Sequence, residues 1–230
     1  TGIIERYICY CSSLNLNSSR LKDGGFAMDY QLISDSSCDL EQSLREKYDI
    51  EVVPFYISFD EENYQKEVEE IAIDDVYRKM VDFPKQYPKT SLPSVQNYVD
   101  AFTPHAREGR AVICICITTS LSGSYNSACN AKEIVCEEYP DAKITVINSL
   151  GATVLQGLYV IQAAKLKQSG ASYDEAVEKL TSKEYLSTGR IFFTVGNTDY
   201  LKHGGRIGKV ASVASSALNL KPIITLKDGS

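Results

Sequence analysis

The chain has 230 residues, 43% hydrophobic and 23% charged, the composition of a globular protein with room for one large core or two small ones. A formal charge of −6 argues against a nucleic-acid binder, which is usually basic. No apolar run approaches the ~18 residues that span a bilayer, and no cationic start leads into a long apolar segment. The expectation is therefore a cytoplasmic protein without an integral membrane segment.

Residues 1–27 are rich in Ser and Asn and do not share the pattern that follows; they read as an extension of unknown origin with no assigned function. After Met28 the order is strand, helix, strand. Residues 30–34 predict the first strand, ending at Asp35-Ser36-Ser37. Asp39 is placed to cap a helix carrying Leu40, Leu44 and Tyr48 at four-residue spacing. Residues 52–57 read as the next strand, with Pro54 marking an edge or a strand end. The acidic stretch 60–70 reads as a solvated excursion, and Asp74 opens a short helix through Met80. Residues 84–93 contain three prolines and read as a loop, ending in Lys89-Thr90-Ser91-Leu92-Pro93-Ser94. Ser94 is a good N-cap for a helix with Val95, Val99 and Phe102 on one face.

Residues 111–117, seven apolar side chains rich in β-branched types, predict a buried strand of a parallel sheet. Directly after them comes Thr118-Thr119-Ser120-Leu121-Ser122-Gly123-Ser124-Tyr125-Asn126-Ser127-Ala128, whose later part fits a helix to about Tyr139. The hydroxyl-rich segment thus sits at a strand-to-helix turn. Ligands of open α/β sheets bind at the carboxyl ends of strands. A helix N-terminus there offers free N–H groups and partial positive charge to an anion. The turn has no Lys, Arg, His or acid of its own, so it reads as a neutral cradle for a carboxylate or phosphate. Residues 143–148 predict another strand, followed by the turn Asn148-Ser149-Leu150-Gly151-Ala152 and a helix over 153–168. Beyond it, 174–180 reads as helix, 190–195 as strand, 199–202 as a short helix, 211–218 as helix and 222–226 as extended. Lys227-Asp228-Gly229-Ser230 reads as the turn of a hairpin. The pattern predicts an α/β protein: a parallel sheet flanked by helices over 28–168, and a second, smaller α+β domain over 169–230, incomplete at its C-terminus.

Seven cysteines include no Cys-x-x-Cys pair and only two histidines are present, so no metal site is expected. Cys114 and Cys116 share one strand face, where cysteine acts as a small hydrophobe. Four polar turns stand out: Asp35-Ser36-Ser37, Lys89-Thr90-Ser91, Ser120-Leu121-Ser122-Gly123 and Asn148-Ser149. Each alone reads as a helix cap; a parallel sheet puts the first, third and fourth on one edge. A serine nucleophile needs a base within reach. Neither His105 nor His203 is well placed, and the chain has no Gly-x-Ser-x-Gly elbow, P-loop or Gly-x-Gly-x-x-Gly. No catalytic residue is assigned, and Asp35 reads as a group that fixes the shape of neighbouring turns. His203-Gly204-Gly205-Arg206-Ile207-Gly208-Lys209 is either a tight turn with solvated charges or a surface that meets an anionic partner through Arg206.

Taken in order, Ile33-Ser34-Asp35-Ser36, Val53-Pro54, Lys89-Thr90-Ser91-Leu92-Pro93-Ser94, Ser120-Leu121-Ser122-Gly123-Ser124-Tyr125-Asn126-Ser127-Ala128 and Leu201-Lys202-His203-Gly204-Gly205-Arg206-Ile207 resemble the DegV family of bacterial fatty-acid-binding proteins. The resemblance covers 28–230. It implies two α/β domains with a long-chain fatty acid such as palmitate buried between them, no catalysis and no other cofactor. It implies that the carboxylate is held by the hydroxyls of Thr90, Ser91 and Ser122, with the Gly123 backbone nearby; Asp35 and Ser36 read as a supporting turn. It also implies presentation of the fatty acid to a separate fatty acid kinase for phospholipid synthesis, for which Arg206, in its Gly-rich loop, reads as a docking cation. The family continues some tens of residues past the position of Ser230, including a His that joins the carboxylate site, and Asp is common at the position of Asn148. The pocket is therefore expected to lack a wall and a ligand contact. The competing expectation is an enzyme acting on a small phosphorylated or carboxylated metabolite, with the 122–124 turn as its anion cradle. A positioned base in an open polar pocket would favour the enzyme; a long apolar tunnel would favour the carrier.

Overall fold

Every residue of Tyr30–Asp35 (β2) and of Ala111–Cys116 (β7) is buried, because helices cover both faces of the sheet they form. The computed structural model describes residues 8–11, 30–195, 199–206, 223–226 and 229. Strands β2 and β7 are the centre of a four-stranded parallel sheet, flanked by Ile50–Val53 (β3) beside β2 and Ile144–Asn148 (β8) beside β7. The two-residue alternation of a strand divides its side chains between two layers. Ile33, Val112, Cys114 and Cys116 pack on Val95–Arg107 (α3) and Ser124–Glu138 (α4) through Tyr98, Phe102, Ala128, Ala131 and Val135. Leu32, Ile113 and Ile115 pack on Thr153–Gln168 (α5) through Leu155, Tyr159 and Val160. The expected α/β architecture is the observed one, and Cys114 and Cys116 serve as core side chains.

The predicted strand over 52–57 is in fact two. Pro54 has no N–H to give a ladder, so β3 ends at Val53 and the chain leaves the parallel sheet. Tyr56–Ser58 (β4) instead pairs antiparallel with Gln65–Lys66 (β5) and with Lys89–Ser91 (β6). The acidic excursion and the end of the proline-rich loop are thus arms of a separate three-stranded sheet. Asp39 does not cap a helix by its side chain. It lies at φ 51°, closing the 3-10 turn Ser36–Cys38, and the helix Gln42–Tyr48 (α1) begins three residues later. Ser94 does cap α3, accepting from Asn97 N–H at 3.2 Å while Asn97 Oδ1 accepts from Ser94 N–H at 2.9 Å. Ile73–Asp82 (α2) opens one residue ahead of Asp74.

After α5 the chain forms Tyr173–Thr181 (α6) and Lys183–Leu186 (α7), whose Tyr173, Ala176, Leu180 and Tyr185 join the same buried cluster as α5. Gly189–Thr194 (β9) follows, then Asp199–His203 (α8) and Ile223–Thr225 (β10). Strand β10 pairs antiparallel with one edge of β9, and Ile8–Cys11 (β1), from the extension assigned no function, pairs antiparallel with the other. The rest of the 1–27 extension, the helix expected over 211–218 and most of the 227–230 turn lie outside the described residues.

Helix α5 comes unusually near the turn after β2. A Cβ at Gly157 would stand 2.4 Å from the Cys38 carbonyl oxygen, a contact that backbone cannot relieve by rotation. Gly157→Ala should therefore push α5 off this turn and destabilise the fold by about 1–3 kcal/mol, the usual range for overpacking. Urea unfolding with an unchanged midpoint would contradict this close approach.

Candidate ligand-binding site

Strand β2 has β3 on one side and β7 on the other, so the order of connection reverses between β2 and β7. The crevice outside the carboxyl ends of two such strands is where open parallel sheets hold ligands. Here those ends carry Asp35-Ser36-Ser37 from β2 and the hydroxyl turn from β7. Asn148, the last residue of β8, joins the same edge, its Nδ2 donating to Thr119 Oγ1 at 3.2 Å.

Asp35 is wholly buried, and four donors converge on it. Ile117 N–H reaches Oδ2 at 3.1 Å and the Ser124 hydroxyl reaches the same oxygen at 2.8 Å. Gln156 Nε2 donates to Oδ1 at 2.8 Å, and the Ser37 hydroxyl donates there as well. Gln156 Oε1 lies 2.9 Å from Ser37 Oγ as an alternative acceptor for the same proton, and Gln156 Nε2 lies 3.4 Å from the Ile115 carbonyl, which fixes which way the amide points. Ser124 Oγ lies 2.6 Å from the Tyr98 hydroxyl on α3. Burial raises the Asp35 carboxyl above its ordinary 3.8, partly offset by these donors, and burial likewise raises the Tyr98 phenol.

The hydroxyl turn faces two ways. Thr118 Oγ1 donates to the Gly229 carbonyl at 2.5 Å, and Ser120 Oγ donates to the same oxygen. Ser122, buried, points its oxygen inward and accepts from Ser124 N–H at 3.2 Å; among the described residues its own proton goes to no acceptor. Gly123 is the N-cap residue of α4. A Cβ there would meet Leu92 Cδ2 at 3.3 Å, so the 89–94 motif and the hydroxyl turn touch. Thr90 and Ser91 are exposed on β6, opposite Ile57 and Tyr56.

One expected residue stands apart from this arrangement. Ser36 does not join Asp35: it accepts from Phe55 N–H at 2.9 Å and donates to Glu67, whose carboxyl is raised chiefly by its own burial. Arg206 lies against the turn and not beyond it, with Nε 3.5 Å from the Leu121 carbonyl. Its segment is held there because His203 stacks on Tyr87 at 3.7 Å and Lys89 Nζ donates to the His203 carbonyl at 3.0 Å. His105 is elsewhere, 3.0 Å from Glu51. Among the described residues neither histidine bonds a serine hydroxyl, and no cluster of His, Cys, Asp or Glu could hold a metal ion. No described helix is long and apolar enough to cross a membrane. Tyr98 and Gln156 had no place in the sequence reading. The one signal was Gln156, a lone amide within the apolar face of a helix.

A model of the family described as "Uncharacterised protein, DegV family" matches residues 29–230. This chain belongs to the DegV family. A DegV domain-containing protein of Clostridium acetobutylicum is 32% identical over 202 residues, covering 88% of this chain and 69% of the relative. Among solved structures, a fatty acid (stearic acid)-binding protein from Eubacterium ventriosum is 49% identical at a TM-score of 0.82, covering 87% of this chain and 68% of that one. The Streptococcus pneumoniae fatty acid kinase (Fak) B3 protein loaded with linoleic acid is 29% identical at a TM-score of 0.70, covering 88% of this chain and 70% of that one. The DegV match begins at residue 29, so β1 lies outside the family's region.

The raised Asp35 carboxyl has a measurable consequence. A native state that binds this proton more readily than the unfolded chain gains stability that is fully present below about 3.8 and is lost as pH rises through the native value. Asp35→Asn removes that dependence. The stability of wild type relative to this variant should therefore be greater near pH 4 than near pH 7 in urea titrations. A difference that grows with rising pH would contradict the assignment.

Proposed function

We propose that this DegV protein is a non-catalytic carrier that holds a long-chain fatty acid and presents it to a fatty acid kinase. The observation that supports this best is Ser122: its oxygen accepts from Ser124 N–H, while among the described residues its proton goes to no acceptor and can be donated at the N-terminus of α4. A carboxylate is an acceptor of that kind. The relatives described with stearic and linoleic acid point to the same ligand class. Thr90, Ser91 and the Gly123 N–H complete the proposed headgroup set, with Asp35 as its buried support. Neutral hydroxyls hold a carboxylate without a base to activate a nucleophile, which suits carriage better than hydrolysis or group transfer. The acyl chain would lie between the parallel-sheet body and the segment from 169 onward, in a protein of the cytoplasm.

The test is chemical. Protein purified from bacteria and extracted with organic solvent should release a fatty acid of roughly C14–C18, the length a pocket of several hundred Å³ admits. Ser122→Ala and Thr90→Ala should each lower fatty-acid affinity about ten- to a hundredfold, the effect of losing one hydrogen bond to a charged group. Folded variants that bind like wild type would remove those residues from the site. Repeated recovery of a nucleotide and no acyl chain would remove the reading itself.

Arg206 is proposed to serve the encounter with the kinase, since a cation at a partner surface acts mainly on association and is screened by salt. Arg206→Ala should leave bound lipid in place and weaken kinase-dependent acyl phosphorylation, most at low ionic strength. Its position 3.5 Å from the Leu121 carbonyl makes the opposite outcome informative. Loss of lipid with normal partner affinity would make Arg206 a counter-charge of the headgroup.

A further inference from the structure

We infer that Ser124 and Tyr98 are positioning residues, which together with Asp35 hold the Ser122 hydroxyl as a hydrogen-bond donor and so give the site its preference for a carboxylate headgroup. The inference rests on the fatty-acid reading above and concerns residues behind the ligand, not in contact with it.

Ile117 N–H and Gln156 Nε2 can only donate, and they take one oxygen each of Asp35, at 3.1 and 2.8 Å. The Ser124 hydroxyl donates to Asp35 Oδ2 at 2.8 Å, so its single proton is committed. Across the 2.6 Å contact the Tyr98 hydroxyl must then be the donor and Ser124 Oγ the acceptor. Tyr98, fully buried on α3, thereby pins the first residue of α4 from one side while Asp35 pins it from the other. The backbone N–H of that same residue donates to Ser122 Oγ at 3.2 Å. That bond occupies an acceptor position on Ser122 and orients what remains, so the Ser122 proton faces away from the protein's own donors. Replacing the Ser124 side chain leaves the N–H in the chain but removes both restraints on its direction.

A merely structural role for Ser124 would weaken binding of all amphiphiles alike. A positioning role acts on the headgroup, so the discriminating quantity is the ratio of affinities for hexadecanoate and 1-hexadecanol, measured by displacement of a fluorescent fatty acid from delipidated full-length protein. Ser124→Ala should lower hexadecanoate affinity about five- to tenfold while changing hexadecanol less than about twofold, a partial loss of one charged hydrogen bond. Ser124→Thr, which keeps the hydroxyl, should restore the ratio. Tyr98→Phe should shift it in the same direction by a smaller factor, and it supplies the test if Ser124→Ala does not fold. In a Ser122→Ala background, Ser124→Ala should change the ratio no further, because the group being positioned is gone. Equal losses for both probes, or full additivity in that background, would overturn the positioning role. Wild-type protein that takes up neither probe would instead overturn the fatty-acid reading, and this inference with it.

Discussion

One carboxyl group with no access to water constrains the rest of this molecule. Burying such a group without hydrogen bonds costs several kcal/mol, and losing one donor from a buried acceptor costs about 1–3 kcal/mol. Asp35 meets this demand with Ser37 from its own turn, Ile117 from the end of β7, Ser124 from the start of α4 and Gln156 from α5. Ser37 is local, but Ile117, Ser124 and Gln156 belong to segments far apart in sequence and to both layers of helices. None of these three can bond Asp35 unless β2, β7 and both helices are packed as they are. The carboxyl therefore acts as a cross-brace at the point where the sheet order reverses, which is also the place where the fold offers a ligand its crevice. The close approach of α5 at Gly157 belongs to the same constraint, because it brings the neighbouring Gln156 amide to Asp35.

With Asp35 committed to the interior, the hydroxyl turn divides its labour between its first half and its second. Thr118 and Ser120 turn to the Gly229 carbonyl, tying the C-terminal segment to the sheet edge. Ser122 and Ser124 turn to the body of the protein. In both directions the turn meets oxygen with hydroxyl donors and supplies no base. The carboxyl nearest the turn, Asp35, has both oxygens taken by donors, whereas an oxygen acceptor at this edge meets several hydroxyls.

Legibility in the sequence followed the length and periodicity of each element. The apolar run 111–117, the helix capped at Ser94 and the helix 153–168 carry patterns long enough to be read, and all three stand where they were expected. Strands β4, β5 and β6 have two or three residues each, too few to show any period, and lie among prolines and acids. Pro54 was visible as an interruption, but the departure of the chain into a second sheet depends on pairing with residues that follow later. The same holds for the site. A hydroxyl run after a buried strand is a local signal and could be seen. The partnership of Asp35 with Gln156 spans 121 residues, and that of Tyr98 with Ser124 depends on how α3 and α4 meet. Strand β1 shows the limit most plainly, since nothing in a Ser- and Asn-rich extension announces the edge of β9 as its partner.

The energetics of a carrier also explain why so few polar groups need converge here. About fourteen buried methylenes at ~0.8 kcal/mol each yield on the order of 11 kcal/mol before the costs of immobilisation. A headgroup hydrogen bond adds about 1.5–3 kcal/mol. On the proposed reading, retention of an acyl ligand is therefore set by the apolar chain, and the hydroxyls would decide which end of the molecule lies at the sheet edge and which headgroup is accepted there. A strong fixed cation in contact with the carboxylate would deepen binding and slow release, at odds with handing the ligand on. Neutral donors held from behind by a buried carboxyl give orientation with little added grip. On that reading the hydroxyl donors of the site are braced from beneath by the buried Asp35 carboxyl.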